Sequence, residues 1–122
     1  MKIYVSHASS FNYQTELYGP VQATVDVEHE LFLPHASNSQ GVLSRDIIPQ
    51  CDLVLAEVSH PSTGQGIELG WASSTGIPIV CLYKAGSTFS SSLRFVSSTF
   101  IEYVSSDDMS KKLKLILQDF SQ

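Results

Sequence analysis

Short apolar runs recur along the chain and predict five buried strands. The runs are continuous and rich in β-branched residues, which is typical of strands that are buried on both faces of a parallel sheet. The predicted strands lie at 3–5, 31–33, 53–58, 77–83 and 100–104. Segments with helical character separate and follow them, at 10–24, 40–50, 65–75, 89–97 and 107–120.

This regular alternation predicts a single doubly wound α/β domain over residues 1–122. We expect a flavodoxin-like parallel sheet of five strands in the order 2-1-3-4-5, with helices on both faces. Ligands of such folds bind outside the carboxyl ends of the strands, at the point where the strand order reverses. We therefore expect ligand contacts from Ser6, His7 and Ser9 after the first strand, and from the turn that follows the third.

Charge and cysteine content narrow the classes of protein. Twelve acidic residues against seven basic ones give a net charge of -5, which argues against a general nucleic-acid binder. No apolar run approaches the ~20 residues that span a bilayer. Cys51 and Cys81 lie in or beside apolar runs, which predicts reduced, buried thiols and a cytoplasmic protein. The histidines lack metal-ligand spacing, so we predict neither a metal nor a cofactor.

The segment 52–72 carries the candidate chemistry. A buried strand enters a turn rich in Ser, Thr and Gly, and this turn opens a helix. Gly64 and Gly66 allow a ligand to approach the backbone, and the helix N-terminus offers free N–H groups beside the Ser62 hydroxyl. Glu68 follows within the first two turns, where its carboxylate either complements the helix dipole or faces the ligand.

Within this segment, residues 56–70 read Ala-Glu-Val-Ser-His-Pro-Ser-Thr-Gly-Gln-Gly-Ile-Glu-Leu-Gly. This run resembles the signature of the nucleoside 2-deoxyribosyltransferase superfamily, and above all its 2′-deoxynucleoside 5′-monophosphate N-hydrolase branch. The resemblance implies that Glu68 is the nucleophile that attacks the anomeric carbon and that Tyr4 orients it. It also implies that Ser62 holds a 5′-phosphate. Ser92 or its neighbour Ser91 would reach the partner subunit's phosphate, which implies a homodimer with shared active sites.

Two departures from the family pattern bear on mechanism. The aspartate that protonates the leaving base in the family is replaced by Ser44, and the nearest acid is Asp46. A shorter loop would bring Asp46 into that role, with 39–46 as the loop on the base side. The family's glycines and arginine after the first strand are replaced by residues 7–10. Serine hydroxyls, backbone N–H groups and His7 would then bind phosphate, or the preferred substrate would differ.

The resemblance implies cleavage of the N-glycosidic bond of a nucleoside or nucleoside 5′-monophosphate through a covalent glycosyl-Glu68 intermediate. Three alternatives stay open at this point. They are deoxyribosyl transfer between bases, a TIR-like glycohydrolase acting on NAD or another nucleotide, and a module that senses a nucleotide without turnover. Exchange onto a second base would indicate transfer, and release of nicotinamide would indicate the glycohydrolase. Binding without release of free base would indicate the sensing module.

Overall fold

The computed structural model describes residues 1–25, 29–34 and 44–120, and its strands form one parallel sheet. The spatial order is β2-β1-β3-β4-β5, which confirms the predicted order and the α/β class. Each strand lies within two residues of its predicted bounds. The strands are β1 (Lys2–His7), β2 (Glu30–Phe32), β3 (Leu53–Glu57), β4 (Ile79–Lys84) and β5 (Thr99–Tyr103).

Four α-helices accompany the strands in the described part of the chain. They are α1 (Gly19–Thr24), α2 (Ser44–Ile47), α3 (Thr63–Ser74) and α4 (Ser106–Phe120). A π-helical turn, Gln14–Tyr18, leads into α1, and a 3₁₀ turn, Ile48–Gln50, ends α2 at Pro49. None of these described helices is both long and apolar enough to cross a membrane.

The predicted helix over 10–24 begins later than expected, since the π-helical turn that leads into α1 starts at Gln14. Residues 40–43 of the second predicted helix lie outside the described residues. The predicted helix over 89–97 is instead a short 3₁₀ turn, Ser91–Phe95, that buries no residue. Its preceding serines favour local bonding over helix continuation, and the hydrogen bond from Leu93 N to Ser90 O spans only three residues.

Strict alternation along the strands divides the core into two layers. On β1, Ile3 and Val5 face the layer that contains α1 and α4, whereas Tyr4 faces the layer that contains α3. The β3 side chains divide in the same way, with Leu53 and Leu55 in the first layer. Helices therefore cover both faces, as predicted for a doubly wound sheet.

Helix α4 offers a matched test of the packing in the first layer. Leu113 is fully buried against the sheet, whereas Leu115 is 65% exposed on the same helix. We expect Leu113→Ala to lower the free energy of unfolding by about 2–5 kcal/mol, because it removes buried surface and leaves a cavity. We expect Leu115→Ala to change it by no more than about 0.5 kcal/mol. Urea denaturation of both variants measures the difference, and equal losses would contradict this packing.

Candidate active site

Glu68 is the centre of a hydrogen-bonded cluster where α3 meets β1. The Tyr4 hydroxyl donates to Oε2 of Glu68 at 2.5 Å, and the Ser6 hydroxyl donates to Oε1 at 2.8 Å. The Ser44 hydroxyl, from the first residue of α2, also donates to Oε2 at 2.8 Å. Three hydroxyl groups from two elements thus hold one half-buried carboxylate in a defined orientation.

Strand periodicity explains why Tyr4 and Ser6 act together. Residues two apart on a strand point to the same face, and α3 packs over that face of β1. Helix α3 begins after Ser62, whose hydroxyl accepts a hydrogen bond from Gln65 N at 3.4 Å and caps the helix. Glu68 lies in the second turn of α3, so its side chain reaches back to the strand.

Ser44 is the member of this cluster whose contact the sequence did not reveal. Its hydroxyl lies 2.5 Å from the Tyr4 hydroxyl as well as 2.8 Å from Glu68 Oε2. The oxygen atoms of Tyr4, Ser44 and Glu68 Oε2 therefore lie within hydrogen-bond distance of one another, and the two hydroxyl groups supply the protons for these contacts. The family's aspartate at this position suggested chemistry there, but a single serine hydroxyl carries no sequence signal of a contact made 24 residues along the chain.

Burial fixes the protonation state of Tyr4. Burial first, and then the hydrogen bond to Glu68, raises the pKa of the Tyr4 phenol well above its ordinary value near 10. The phenol therefore remains protonated throughout the neutral range. Tyr4 acts as a permanent donor toward the carboxylate.

A cavity of about 480 Å³ lies beside the first turns of α3. It brings together three residues singled out from the sequence, Ser62, Gly66 and Ser92. Its other lining residues combine apolar and polar side chains: Val58, Pro61, Thr63, Gln65, Leu69, Ser90, Leu93 and Val96. Glu68 is not among the residues that line the cavity.

The two glycines of the turn have free space around them. A Cβ added at Gly66 would meet nothing within 4 Å, and one added at Gly64 would lie 4.0 Å from the Ser62 hydroxyl. Neither glycine is required by contacts among the described residues. A role in admitting a ligand to the backbone stays a prediction for both positions.

His7 and Ser9 do not join the Glu68 cluster. His7 is one residue beyond Ser6 and therefore points to the opposite face of the sheet. There its Nε2 lies 2.7 Å from the Tyr18 hydroxyl, and its Nδ1 donates to Ala8 O at 2.6 Å. Ser9 is exposed in the following loop, as Ser91 is in the 3₁₀ turn before β5. Contacts of these residues with substrate stay predictions.

Asp46 lies near Ser44 in sequence but outside the hydrogen bonds of the cluster. Its carboxylate is largely exposed and lies 3.7 Å from Arg45 Nε. Two residues along a helix correspond to about 200° of rotation, so Asp46 points away from the side that Ser44 presents to Glu68. The structure thus brings Ser44, rather than Asp46, to the carboxylate. Most of the predicted base-side loop, residues 39–43, lies outside the described residues.

A second carboxylate, Glu57, is buried at the end of β3. It accepts hydrogen bonds from Ser59 N at 2.7 Å, from the Ser59 hydroxyl at 2.9 Å and from the Tyr103 hydroxyl. Burial and this contact with Glu57 raise the pKa of Tyr103. Glu57 is therefore satisfied by its own chain and ties the ends of β3 and β5 together.

Metal-binding groups and cysteine thiols are the other candidate chemistry among the described residues. No group of three or more His, Cys, Asp or Glu side chains among them could hold a metal ion. Cys51 and Cys81 are buried free thiols, and burial raises the pKa of each to about 11. Thiolate chemistry is therefore suppressed at both positions.

The fold and the site define a doubly wound α/β protein with a hydroxyl-bound carboxylate on the helix that follows its third strand. A family model described as nucleoside 2-deoxyribosyltransferase matches residues 6–120. The chain belongs to the nucleoside 2-deoxyribosyltransferase family.

Individual relatives extend this comparison. Over 51 residues the chain is 45% identical to the 5-hydroxymethyl-dUMP N-hydrolase of Mus musculus, a match covering 40% of this chain and 30% of the mouse protein. It is 31% identical over 100 residues to a Syntrophotalea carbinolica protein named as a 2′-deoxynucleoside 5′-phosphate N-hydrolase, with 70% of each chain covered. The matched segment thus spans less than a third of the mouse relative.

A solved structure shares the fold. The CMP N-glycosidase of Clostridium botulinum superimposes with a TM-score of 0.69 at 24% identity, covering 93% of this chain and 98% of that chain. At this level of identity, the likeness establishes a common architecture.

The raised pKa of Tyr4 predicts a specific loss of stability in alkali. The unfolded chain releases the Tyr4 proton near pH 10, whereas the folded chain retains it to higher pH. The stabilisation is therefore complete below pH 10 and is lost as pH rises toward the folded-state pKa. From pH 9.5 to 11 we expect the free energy of unfolding to fall by about 1 kcal/mol more in the wild type than in Tyr4→Phe. Urea titrations at both pH values measure it, and equal slopes would contradict the buried environment of Tyr4.

Proposed function

We propose that this protein cleaves the N-glycosidic bond of a 2′-deoxynucleoside 5′-monophosphate, with Glu68 as the nucleophile. The observation that carries the proposal is the Glu68 carboxylate held by the hydroxyls of Tyr4, Ser6 and Ser44. Membership of the nucleoside 2-deoxyribosyltransferase family supports it, as do the relatives named for N-hydrolase activity on deoxynucleotides.

In the first step a Glu68 oxygen bonds to C1′ while the bond from C1′ to the base nitrogen breaks. The electron pair of that bond leaves with the base, which takes a proton from Asp46 or from water. An adjacent carboxylate stabilises the oxocarbenium character of this transition state and can also form the covalent ester. Glu68 Oε1 accepts a single hydrogen bond among the described contacts, so it keeps lone-pair capacity for C1′.

In the second step water attacks C1′ and the bond to Glu68 breaks. The carboxylate returns to its hydroxyl donors, and the water loses a proton to a base or to solvent. The configuration at C1′ is retained because two inversions occur in succession. If a second nucleobase replaces the water, the same intermediate gives deoxyribosyl transfer.

The phosphate end of the substrate is assigned to the start of α3. Ser62 caps this helix and lines the cavity together with Ser92, so two hydroxyls and the helix N-terminus converge there. Helix N-termini favour anions through their free N–H groups. Ser6, Gly64 and Gly66 complete the proposed binding surface, and no metal or other cofactor takes part in the proposed reaction.

We further propose a homodimer in which each subunit contributes Ser91 to the other's site, since Ser92 lines the cavity of its own subunit. The supporting observation is Phe95, which is 89% exposed in the same 3₁₀ turn as these serines. Apolar cavity residues Leu93 and Val96 flank it in sequence. An exposed aromatic beside an apolar-lined cavity is typical of an interface.

Base release tests the catalytic proposal directly. Purified protein is incubated with the deoxynucleosides, their 5′-monophosphates, the ribonucleotides and NAD, and free base is measured by chromatography. We expect release from deoxynucleoside monophosphates and at least a thousandfold loss in Glu68→Gln, because the amide cannot form the glycosyl ester; losses of roughly this size accompany removal of a nucleophile. Glu102→Gln, an exposed glutamate on β5, is the matched control.

The pattern of products separates the alternatives. Exchange onto an added second base indicates a transferase, and nicotinamide release indicates an NAD glycohydrolase. Wild-type activity in Glu68→Gln would remove Glu68 from its role. Binding of a nucleotide without product from any substrate would leave a nucleotide-sensing module. Asp46→Asn separates Asp46 from water as the proton source, because only the former predicts a loss.

Sedimentation tests the shared site. We expect a species of twice the 13.4 kDa chain mass. Phe95→Glu should dissociate it and lower base release, because a charge at the interface is costly to desolvate. Leu115→Glu makes the same kind of change, from an apolar to an acidic side chain, at an exposed position of α4. It should leave the dimer and base release unchanged. A wild-type monomer with full activity would contradict the dimer.

A further inference from the structure

Gln65 is a buried polar residue that the proposed reaction does not use. It is 5% exposed and lies three residues after the cap residue Ser62. A Gln at this position ordinarily returns its side chain to the backbone N–H of the cap residue, as in a capping box. Here the side chain turns to the sheet instead, where Nε2 donates to Ser6 O at 3.2 Å and to Glu57 O at 2.7 Å.

The orientation of this amide is determined by its partners. Both Ser6 O and Glu57 O are carbonyl acceptors, so only the nitrogen of the Gln65 amide can face them. The two Nε2 protons are both used. Ser6 and Glu57 stand on neighbouring strands, in the paired registers Ser6 with Ala56 and His7 with Glu57. One side chain therefore joins the carboxyl ends of β1 and β3 at the switch point of the sheet.

Ser6 connects this bridge to Glu68. Its carbonyl oxygen accepts from Gln65, and its hydroxyl donates to Glu68 Oε1 at 2.8 Å. Gln65 and Glu68 are three residues apart and lie one turn apart on α3. The helix thus holds Ser6 at two points, one on the backbone and one on the side chain. The carbonyl contact adds to the β1–β3 pairing that already holds the Ser6 backbone, and the hydroxyl contact directs its side chain to Glu68.

We propose that Gln65 is a positioning residue for Glu68, which it orients through Ser6. This role rests on the proposed N-glycosidic cleavage, in which Glu68 is the nucleophile. Gln65 also lines the cavity assigned to the substrate. Gln65 therefore contacts both the proposed binding cavity and Ser6, whose hydroxyl donates to the proposed nucleophile.

The first measurement reads the Glu68 environment without turnover. In protein labelled with ¹³C at glutamate carboxyls, the Glu68 resonance is assigned as the one lost in Glu68→Gln. At a fixed neutral pH, Ser6→Ala should shift this resonance because a donor is removed. Gln65→Met keeps a similar volume and lacks the amide, and it should shift the resonance in the same direction. Adding it to Ser6→Ala should cause no further shift.

The second measurement is kinetic. We expect Gln65→Met and Ser6→Ala each to lower kcat by about tenfold, the equivalent of one hydrogen bond, with little change in KM. If Gln65 acts through Ser6, the double variant loses no more than Ser6→Ala alone. A merely structural role predicts that the two losses multiply. Gln118→Met, at an exposed glutamine of α4, is the matched control, and Gln65→Leu repeats the test should the methionine variant fold poorly.

The outcomes separate the two proposals. A Glu68 resonance unmoved in Gln65→Met, or kinetic losses that multiply, would overturn the positioning role. An inactive wild type would overturn the proposed cleavage, yet the resonance comparison would still decide whether Gln65 acts on Glu68. Non-additive shifts together with non-additive losses support both proposals.

Discussion

The Glu68 carboxylate lies between α3 and the sheet, where a charged group needs donors supplied by the protein. A carboxylate removed from water loses its hydration, and this loss is recovered only if hydrogen bonds replace the water. The hydroxyls of Tyr4, Ser6 and Ser44 meet this requirement. They draw β1, α2 and α3 to one point, so the constraint that satisfies one charge also sets the arrangement of the elements around it.

The same constraint operates a second time at Glu57. This carboxylate is buried at the end of β3 and receives its donors from Ser59 and Tyr103. Ser59 in turn accepts from Lys84 N, so β3 and the end of β4 are joined through one hydroxyl. Gln65 lies between the two systems, since its amide contacts both Ser6 and the backbone of Glu57. The carboxyl edge of the sheet is therefore held by side chains rather than by the strand ladder alone.

Two neighbouring regions of α3 carry different properties. Its second turn presents Glu68 to the hydroxyl cluster, and its first turns border a cavity lined by Ser62, Gly66 and Ser92. A substrate that spans the start of the helix would meet hydroxyl groups at one end and a carboxylate at the other. This division fits an N-glycoside, whose anomeric carbon must reach a nucleophile while the rest of the molecule is bound elsewhere.

Sequence by itself determined the fold class, the strand order and the segment that carries the site. Continuous apolar runs and the alternation of strand and helix are local signals, and known rules of connection turn them into a topology. The same local signals predicted a site at the switch point with Glu68 beside it, and the family resemblance added Tyr4 as its partner. They failed over 89–97, where weak helical character in a serine-rich stretch gave way to a 3₁₀ turn. Only the tertiary structure decided that Ser44, rather than Asp46, meets Glu68, that His7 turns to the opposite face, and that Gln65 joins β1 to β3. These contacts join residues that are distant in the chain, and their geometry follows from how the helices pack on the sheet, which no local pattern encodes.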